Sequence, residues 1–581
     1  MNNIKKFVPF LGWFPMGGAV LRADLLAGVT VALVLIPQSM AYAQLAGLPA
    51  YYGLYAAFLP VAMAALFGSS KQLATGPVAV VSLLTASALM PHAQPGTAEF
   101  IGYAILMSLL VGAVQLTLGL LRLGVVVNFL SHPVIVGFTN AAAIIIGLSQ
   151  LSKIFGVPMG RSENFAQDIW GVLQQVGATH WPTFAFGIVA FAIMWSLKKY
   201  LPRLPNVLIA VALTTVTSWL IDFKGLGGAV VGEIPQGLPS VALPRLDLDM
   251  MAQLLPSAII ISLVGFMEAI SIAKAMAAKT RDRIDPNQEL IGQGLANLVG
   301  SLTQAYPASG SFSRSAVNLN AGAKTGMSSV FTAAMVLVTL LFLTPLLYNL
   351  PQAVLAAVIM MAVIGLVNFK AIRHAWHANR HDGAASAVTF LATLAFAPHL
   401  DKGIMVGAGL AIVLYLYRTM RPRVAQLGRF EDGTLRDLAV YPNLPTDPRI
   451  IVIRFDGQLY FANVSYFEDM VLAAVAAQPD AKFLLVVGDG INQLDASGEE
   501  VIHHLAERLE GNGIALVFSG LKRQVIEVMH HTGLFDLLAQ GNIFPTEDMA
   551  LAAIYDRLGG EATFRPLMPK RPADPALAAA S

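Results

Sequence analysis

The sequence predicts a polytopic α-helical membrane protein followed by a small soluble α/β domain, and three observations carry that prediction. Of its 581 residues, 56% are hydrophobic and only 12% are charged, with a mean hydropathy of +0.64; a soluble chain carries roughly twice that charged fraction. The charge is also uneven, with long uncharged runs through 24–418 and a soluble-like alternation through 419–581. Finally, apolar segments of spanning or half-spanning length recur about fourteen times in the first part, measured against the ~20 residues a full span needs.

These segments fall near 24–45, 51–68, 74–90, 100–121, 125–151, 183–200, 204–222, 254–275, 288–303, 311–321, 328–348, 351–368, 384–399 and 403–418. Two of them, 74–90 and 311–321, are too short for a full span, and each follows a Gly/Pro/Ser break. The break Ala74-Thr75-Gly76-Pro77 and the break from Ala305 to Gly310 lie about 230 residues apart, as do Ile36-Pro37-Gln38, which interrupts the first span, and Glu268 in the eighth. Matched interruptions in two halves are what an inverted seven-plus-seven repeat leaves.

Charge sets the expected orientation. With the N-terminus in the cytoplasm, the cytoplasmic loops hold Lys71, Arg122, Lys198, Lys199, Arg203, Lys279, Arg281, Arg283, Lys324, Lys370, Arg373 and Arg380, while the opposite loops hold only Lys153, Arg161, Lys224, Arg245 and Lys402. The positive-inside rule favours this placement, with both termini cytoplasmic in a multi-pass protein of the cell (inner) membrane. The expected divisions are a cytosolic segment 1–23, a transmembrane domain 24–420, a linker 421–436, a cytosolic domain 437–562 and a disordered tail 563–581. No small-residue cleavage site precedes the first apolar run, so no cleaved signal peptide is expected. The chain has no cysteine, which excludes disulfides, thiol chemistry and Cys metal sites. No basic patch with interleaved aromatics suggests nucleic acid.

The chemistry concentrates in Tyr306-Pro307-Ala308-Ser309-Gly310-Ser311-Phe312-Ser313-Arg314. This hydroxyl-rich, Pro- and Gly-broken segment ends in a cation between long apolar runs. Unpaired backbone groups and a charge facing lipid each cost several kcal/mol, so such a segment lines a cavity instead. Its hydroxyls, the free N–H groups of a half-helix and a guanidinium all suit an anion. Thr75-Gly76-Pro77 precedes a second short helix, and two helix N-termini facing each other would make a positive focus without mobile cations. Taken singly, each Ser or Thr also suits a plain N-cap. Arg314 can sit beside a bound anion or brace the domain interface. Gln38 and Tyr42, four residues apart, share one helix face and can offer an amide and a ring edge, although a tyrosine there also suits packing.

Glu268 lies in the apolar run Ile259 to Ile270. A lone carboxyl there must face protein or water. It can take up a proton together with an anionic substrate, or serve as a structural group bonded to a neighbouring helix or paired with Arg314 or Lys274.

With these residues in view, the chain resembles the SulP family of sulfate permeases and anion exchangers, whose animal relatives include prestin and pendrin. The resemblance rests on Ile36-Pro37-Gln38-Ser39-Met40-Ala41-Tyr42-Ala43, Tyr52-Gly53-Leu54-Tyr55-Ala56-Ala57, Gly68-Ser69-Ser70-Lys71, Thr75-Gly76-Pro77 and Ser309-Gly310-Ser311-Phe312-Ser313-Arg314-Ser315. It covers nearly the whole chain. It implies a fourteen-span, UraA-like fold with a mobile core domain and a gate domain, dimeric, with the anion held between the third and tenth spans. Carried onto this sequence, that names Gln38, Tyr42, Thr75, Gly76, Pro77, Val78, Ser309, Gly310, Ser311, Phe312, Ser313 and Arg314, with Glu268 beside them. An acidic group at the Glu268 position marks cation-coupled members in the resemblance, and a glutamate favours protons over sodium.

From about residue 430 the pattern turns to β then α. Ile450 to Phe455 reads as a strand, Leu459-Tyr460-Phe461 as a second short strand, then a helix from Asn463. Phe483 to Val487 and Ile514 to Phe518 read as buried strands with helices after them. The alternation argues for a small α/β domain, which resembles a STAS domain. In its relatives the loop at Gln493 to Gly498 carries a phosphorylatable serine, so Ser497 is a candidate regulatory site. The alternative is that Ser497 merely helps start a helix. The pairs His503-His504 and His530-His531 lie on solvated helices and suggest no metal.

The expected function is secondary active transport of an inorganic anion, sulfate with protons, by an elevator-type alternating-access mechanism. Bicarbonate or a dicarboxylate, sodium coupling, exchange and a channel stand as alternatives. Expected partners are the anion, the coupling ion, the bilayer, a second copy of the chain and a cytosolic partner of the STAS domain. No nucleophile–base arrangement, Walker loop or metal-ligand spacing suggests an enzyme or a cofactor.

Overall fold

The computed structural model describes residues 8–559 except 125–130, 161, 163, 202–203 and 539, together with 565–569. The chain forms two compact units, which divide between Ile412 and Val413.

The first unit is helical. In chain order its main elements are α1 (Gly18–Leu45), α2 (Tyr51–Ala56), α3 (Leu59–Phe67), β1 (Ala74–Gly76), α4 (Ala79–Leu89), α5 (Ala98–Leu120), α6 (His132–Ser149) and α7 (Leu151–Phe155). Then follow α8 (Phe165–Gln174), α9 (Trp181–Tyr200), α10 (Asn206–Leu220), α11 (Leu248–Thr280), α12 (Pro286–Leu302), β2 (Ser309–Ser311) and α13 (Phe312–Asn320). The last are α14 (Met327–Val338), α15 (Gln352–Ile364), α16 (Phe369–Ala378), α17 (Arg380–Ala395) and α18 (Leu400–Met420), whose end lies beyond the division. Among the described residues, eight helical stretches are long and apolar enough to cross a bilayer, with shorter apolar helices at Tyr51–Phe67, Ala79–Leu89 and Asn206–Leu220. Every apolar segment expected from the sequence holds a helix.

Two expectations are corrected here. Pro37 does not break the first span, because α1 continues through it to Leu45. A proline removes one ladder bond, but packing on both sides of this buried stretch holds the remaining bonds in place. Lys153 does not lie in a loop. It occupies the last turn of a continuous stretch, His132–Phe155.

The two short segments behave as the breaks predicted. β1 and β2 pair antiparallel, with Ala74 opposite Ser311, Thr75 opposite Gly310 and Gly76 opposite Ser309. Each strand runs directly into a half-helix, α4 or α13. Backbone at this depth is tolerated because the partner strand supplies the hydrogen bonds that lipid cannot. Gly76 adopts φ +146°, a backbone conformation that a side chain resists. Gly310 packs so closely that a Cβ would meet the Ala269 Cα at 3.0 Å.

The second unit is a six-stranded sheet. It comprises β3 (Arg423–Arg429), β4 (Leu435–Asp437), β5 (Ile450–Asp456), α19 (Val464–Ala477), β6 (Phe483–Val487), α20 (Ala496–Glu510), β7 (Ala515–Ser519), α21 (Arg523–Thr532), β8 (Ile543–Phe544) and α22 (Glu547–Arg557). The sheet order is β4-β3-β5-β6-β7-β8, with β5 to β8 parallel and β3 antiparallel to β5. One face buries Ile451, Ile453, Phe455, Val486 and Phe518 under helices, and the other buries Val452, Leu485, Val517 and Tyr555.

Three expectations change in this unit. Residues 423–429, expected within a linker, form β3, because Ala425 and Leu427 bury against the sheet. Residues 459–461 form no strand; Leu459 makes a single bridge to Leu494 before the helix begins. Residues 565–569, expected in a disordered tail, include Leu567, which packs into the sheet's second face. The rest of that tail, 570–581, lies outside the described residues.

Candidate anion-binding site

The paired breaks bring the predicted residues together. α4 starts after Val78 and α13 after Ser311, and no side-chain cap hydrogen bond serves either start. The plain-cap alternative therefore does not describe them. The Ser311 hydroxyl lies 3.4 Å from that of Ser313 instead of capping the helix. Uncapped first-turn N–H groups leave the partial positive charge of each helix end available to a ligand.

Arg314 lies in the first turn of α13 and is fully buried. Its Nη2 donates to the Pro77 carbonyl at 2.8 Å, which ties α13 to the other break. Its Nε and Nη1 have no hydrogen-bond partner, and no carboxylate among the described residues pairs with it. A buried donor left unpaired costs ~1–3 kcal/mol, and more when charged. The half-paired guanidinium sits between the two breaks with their bare helix starts, and Gln38 on α1 is buried with its Oε1 unpartnered. Tyr42, also buried, lies within electrostatic reach of both Arg314 and Glu268, and Tyr306 within reach of Arg314 and Tyr42.

Glu268 is positioned by α11. The Ser309 hydroxyl donates to the Gly265 carbonyl at 2.6 Å, which fastens β2 to that helix one turn before Glu268. Glu268 is half-buried, and its carboxyl makes no hydrogen bond or ion pair among the described residues. The expected alternative of a structural pair with Arg314 or Lys274 is not what the structure holds. Phe312 (59% exposed) and Ser313 stand outside the buried cluster.

A second polar layer supports the strands, and it was not anticipated from the sequence. Asn297 on α12 accepts from the Ala308 N–H at 2.8 Å and donates to the Ala308 carbonyl at 3.2 Å and to Gln115 at 3.0 Å. Gln293, one turn earlier, donates to the Thr75 hydroxyl at 2.8 Å and to Glu289 at 3.3 Å. Glu289 in turn accepts from the Ser69 and Ser70 N–H groups. Ser82 and Tyr306 pair their hydroxyls at 3.2 Å. The signal was present, since Glu289, Gln293 and Asn297 recur every four residues inside an apolar segment, which puts them on one helix face.

In the second unit, α20 is capped by Asp495, whose carboxylate accepts from the Gly498 N–H at 2.8 Å. Ser497 is the second residue of that helix and is half-buried, so the helix start does not depend on its hydroxyl.

This geometry gives the comparison with known proteins its meaning. Residues 21–389 match the family model described as the sulfate permease family, and residues 441–550 match the STAS domain. The chain belongs to the sulfate permease family. It is therefore a multi-pass membrane transporter and not an enzyme. It is 38% identical over 536 residues to sulfate transporter 4.1, chloroplastic, of Arabidopsis thaliana, covering 89% of this chain and 78% of that protein. Sulfate transporter 1.2 of the same plant is 32% identical over 567 residues, covering 93% and 86%. The solved structure of SLC26A9 superposes with a TM-score of 0.89 at 23% identity, over 97% of this chain and 95% of that one. The transmembrane domain of a cyanobacterial bicarbonate transporter, BicA, superposes with a TM-score of 0.56 at 23% identity, over 68% and 98%. At these identities the two structures establish the fold: a helical membrane domain followed, in the first, by the same kind of C-terminal domain.

Proposed function

We propose that the chain is a proton-coupled importer of an inorganic oxyanion, with sulfate as its substrate. The observation that carries this reading is Arg314, fully buried, with two of its guanidinium nitrogens unpartnered between two bare helix starts. An oxyanion would accept from those nitrogens and from the first-turn N–H groups of α4 and α13, with Gln38, Tyr42, Thr75 to Val78 and Ser309 to Ser311 around it. The names of the plant relatives support sulfate among the oxyanions.

Charge balance supports one proton. With Glu268 ionised, the empty site pairs one cation with one anion. A dianion arriving alone would leave an excess of two negative charges in a low-dielectric setting, which is costly. A proton on Glu268 removes one of them, and two helix ends of roughly +0.5 charge each offset most of the other.

An elevator-type movement fits the polar ties of the site. The two breaks and the helices α11, α12 and α13 are bound into one body through Ser309–Gly265, Arg314–Pro77, Gln293–Thr75 and Asn297–Ala308. Such a body can carry the site past the other helices without dismantling it. The same reading places the chain in the cell (inner) membrane as a homodimer with both termini cytoplasmic. The transmembrane domain would run over 24–420, followed by a regulatory STAS domain whose sheet begins at β3.

The deciding experiment is uptake of radiolabelled sulfate by the purified protein in liposomes, with imposed proton or sodium gradients. An inward proton gradient should drive sulfate above equilibrium. Absence of sulfate uptake, alongside saturable uptake of bicarbonate or a dicarboxylate, would reassign the substrate. Drive by sodium alone would reassign the coupling ion.

A further inference from the structure

A second cation inside the membrane unit has no counter-charge. Lys153, in α7, donates from Nζ to the Gln44 side-chain oxygen at 3.0 Å, and it has no other partner among the described residues. An ammonium has three donors, so two remain free. Lys153 lines a cavity of about 240 Å³ together with Ser152, His180, Thr183 and Gln352. That is several times the ~30 Å³ a water occupies in the liquid, which leaves room for a hydrated oxyanion.

The lining is mixed, and two of its polar side chains are hydrogen-bonded to each other. The His180 Nε2 lies 3.0 Å from the Leu226 carbonyl, which can only accept, so this nitrogen carries the proton. Nδ1 lies 2.7 Å from the Thr183 hydroxyl, so both ring nitrogens are engaged. No carboxylate lines the cavity.

Its place in the fold gives the cavity a role. Gln44 lies two residues beyond Tyr42 and six beyond Gln38 on the same helix, so Lys153 meets α1 just past the Arg314 cluster, toward the end opposite the N-terminus. The bond that Lys153 donates to Gln44 also joins α1, which carries part of the site, to the His132–Phe155 span, which does not.

We propose that this cavity is a second anion site, in which Lys153 holds an inorganic oxyanion before it reaches the Arg314 cluster, the anion taking the free ammonium donors and competing with Gln44. The identity of the ligand and its passage to the Arg314 cluster rest on the transport function proposed above; the unpaired cation and its cavity do not.

The absence of cysteine from the chain makes a clean test possible. Ser152→Cys and, separately, Gln352→Cys each place one thiol in the cavity, the first nearly isosteric. In liposomes, each thiol should react about tenfold faster with an anionic, membrane-impermeant thiosulfonate than with a cationic one. Sulfate should protect it, and Lys153→Gln should erase the preference while Lys153→Arg restores it. Equal rates for the two reagents, or a preference unchanged by Lys153→Gln, would overturn the second site. This readout needs no transport, so a failure of sulfate uptake would refute the proposed function without altering what the thiol rates say of the cavity. In uptake assays, Lys153→Gln should raise the KM about tenfold from the cavity's side of the membrane and leave it unchanged from the other. An equal rise from both sides would refute the entry role.

Discussion

Arg314 combines two roles that call for different substitutions. One N–H braces the crossing through Pro77, while Nε and Nη1 are left unpartnered for the proposed anion. Lysine keeps the charge but loses the fork, whereas alanine loses both and leaves the Pro77 carbonyl bare. With ~1.5–3 kcal/mol for each hydrogen bond to a charged group, Arg314→Lys should weaken anion affinity about tenfold and Arg314→Ala about a hundredfold or more. Half-saturating sulfate concentrations in liposome uptake would check this, and equal effects of the two variants would argue that Arg314 only braces. Glu268→Gln should abolish proton-driven accumulation while leaving exchange of internal for external anion, measured by counterflow. Undiminished uphill uptake would remove Glu268 from the coupling. Gln38, Arg314 and Glu268 were legible in the sequence because a polar group in an apolar segment is costly and needs a reason. Tyr306 was visible as part of the broken segment, but its reach toward Arg314 depends on how the segment folds back, which local sequence does not encode.

Among the elements, α12 decides how firmly the breaks are held. It crosses α5 at glycines: a Cβ on Gly294 would meet the Leu116 backbone nitrogen at 2.6 Å, and one on Gly112 would meet the Leu298 nitrogen at 2.6 Å. This close approach lets Asn297 reach both Ala308 and Gln115. Gly294→Ala should therefore force the helices apart and cost ~1–3 kcal/mol by overpacking. The expected result is a lower thermal unfolding midpoint in detergent together with weaker anion binding. An unchanged midpoint would mean that the crossing relaxes easily. The half-helices α4 and α13 were legible from their length and the breaks before them. The antiparallel register of β1 with β2 was not, because three-residue strands carry too little side-chain pattern to choose a partner more than two hundred residues away.

At the scale of the whole molecule, the two units answer to different physics, with lipid-facing helices in one and a soluble sheet in the other. In the sheet domain, Asp447 is buried and bonded to the backbone and guanidinium of Arg449. Burial opposes its ionisation, but the Arg449 hydrogen bonds and charge outweigh it and hold the carboxyl below the usual carboxylate range. A depressed value means that the stabilisation is present above the unfolded value of ~3.9 and is lost as pH falls through the folded one. The sheet domain should therefore lose stability on acidification below about pH 4. Asp447→Asn should lower stability at neutral pH and flatten that acid slope, as read by hydrogen exchange in β5. The boundary between the units shows where sequence reasoning stopped. Residues 423–429 carry polar and basic side chains that read as a linker, yet they bury Ala425 and Leu427 as a strand once β5 offers an edge. The sequence by itself determined the membrane character, the two half-helices, the cation and carboxyl of the site and the α/β domain after it, because each follows from the cost of placing polar groups in an apolar medium. Only the tertiary structure decided that Arg314 keeps two nitrogens free, that Asn297 and Gln293 hold the strands and that Lys153 faces a cavity. Those facts depend on contacts between residues distant in the chain, where small differences in packing fix which groups find partners.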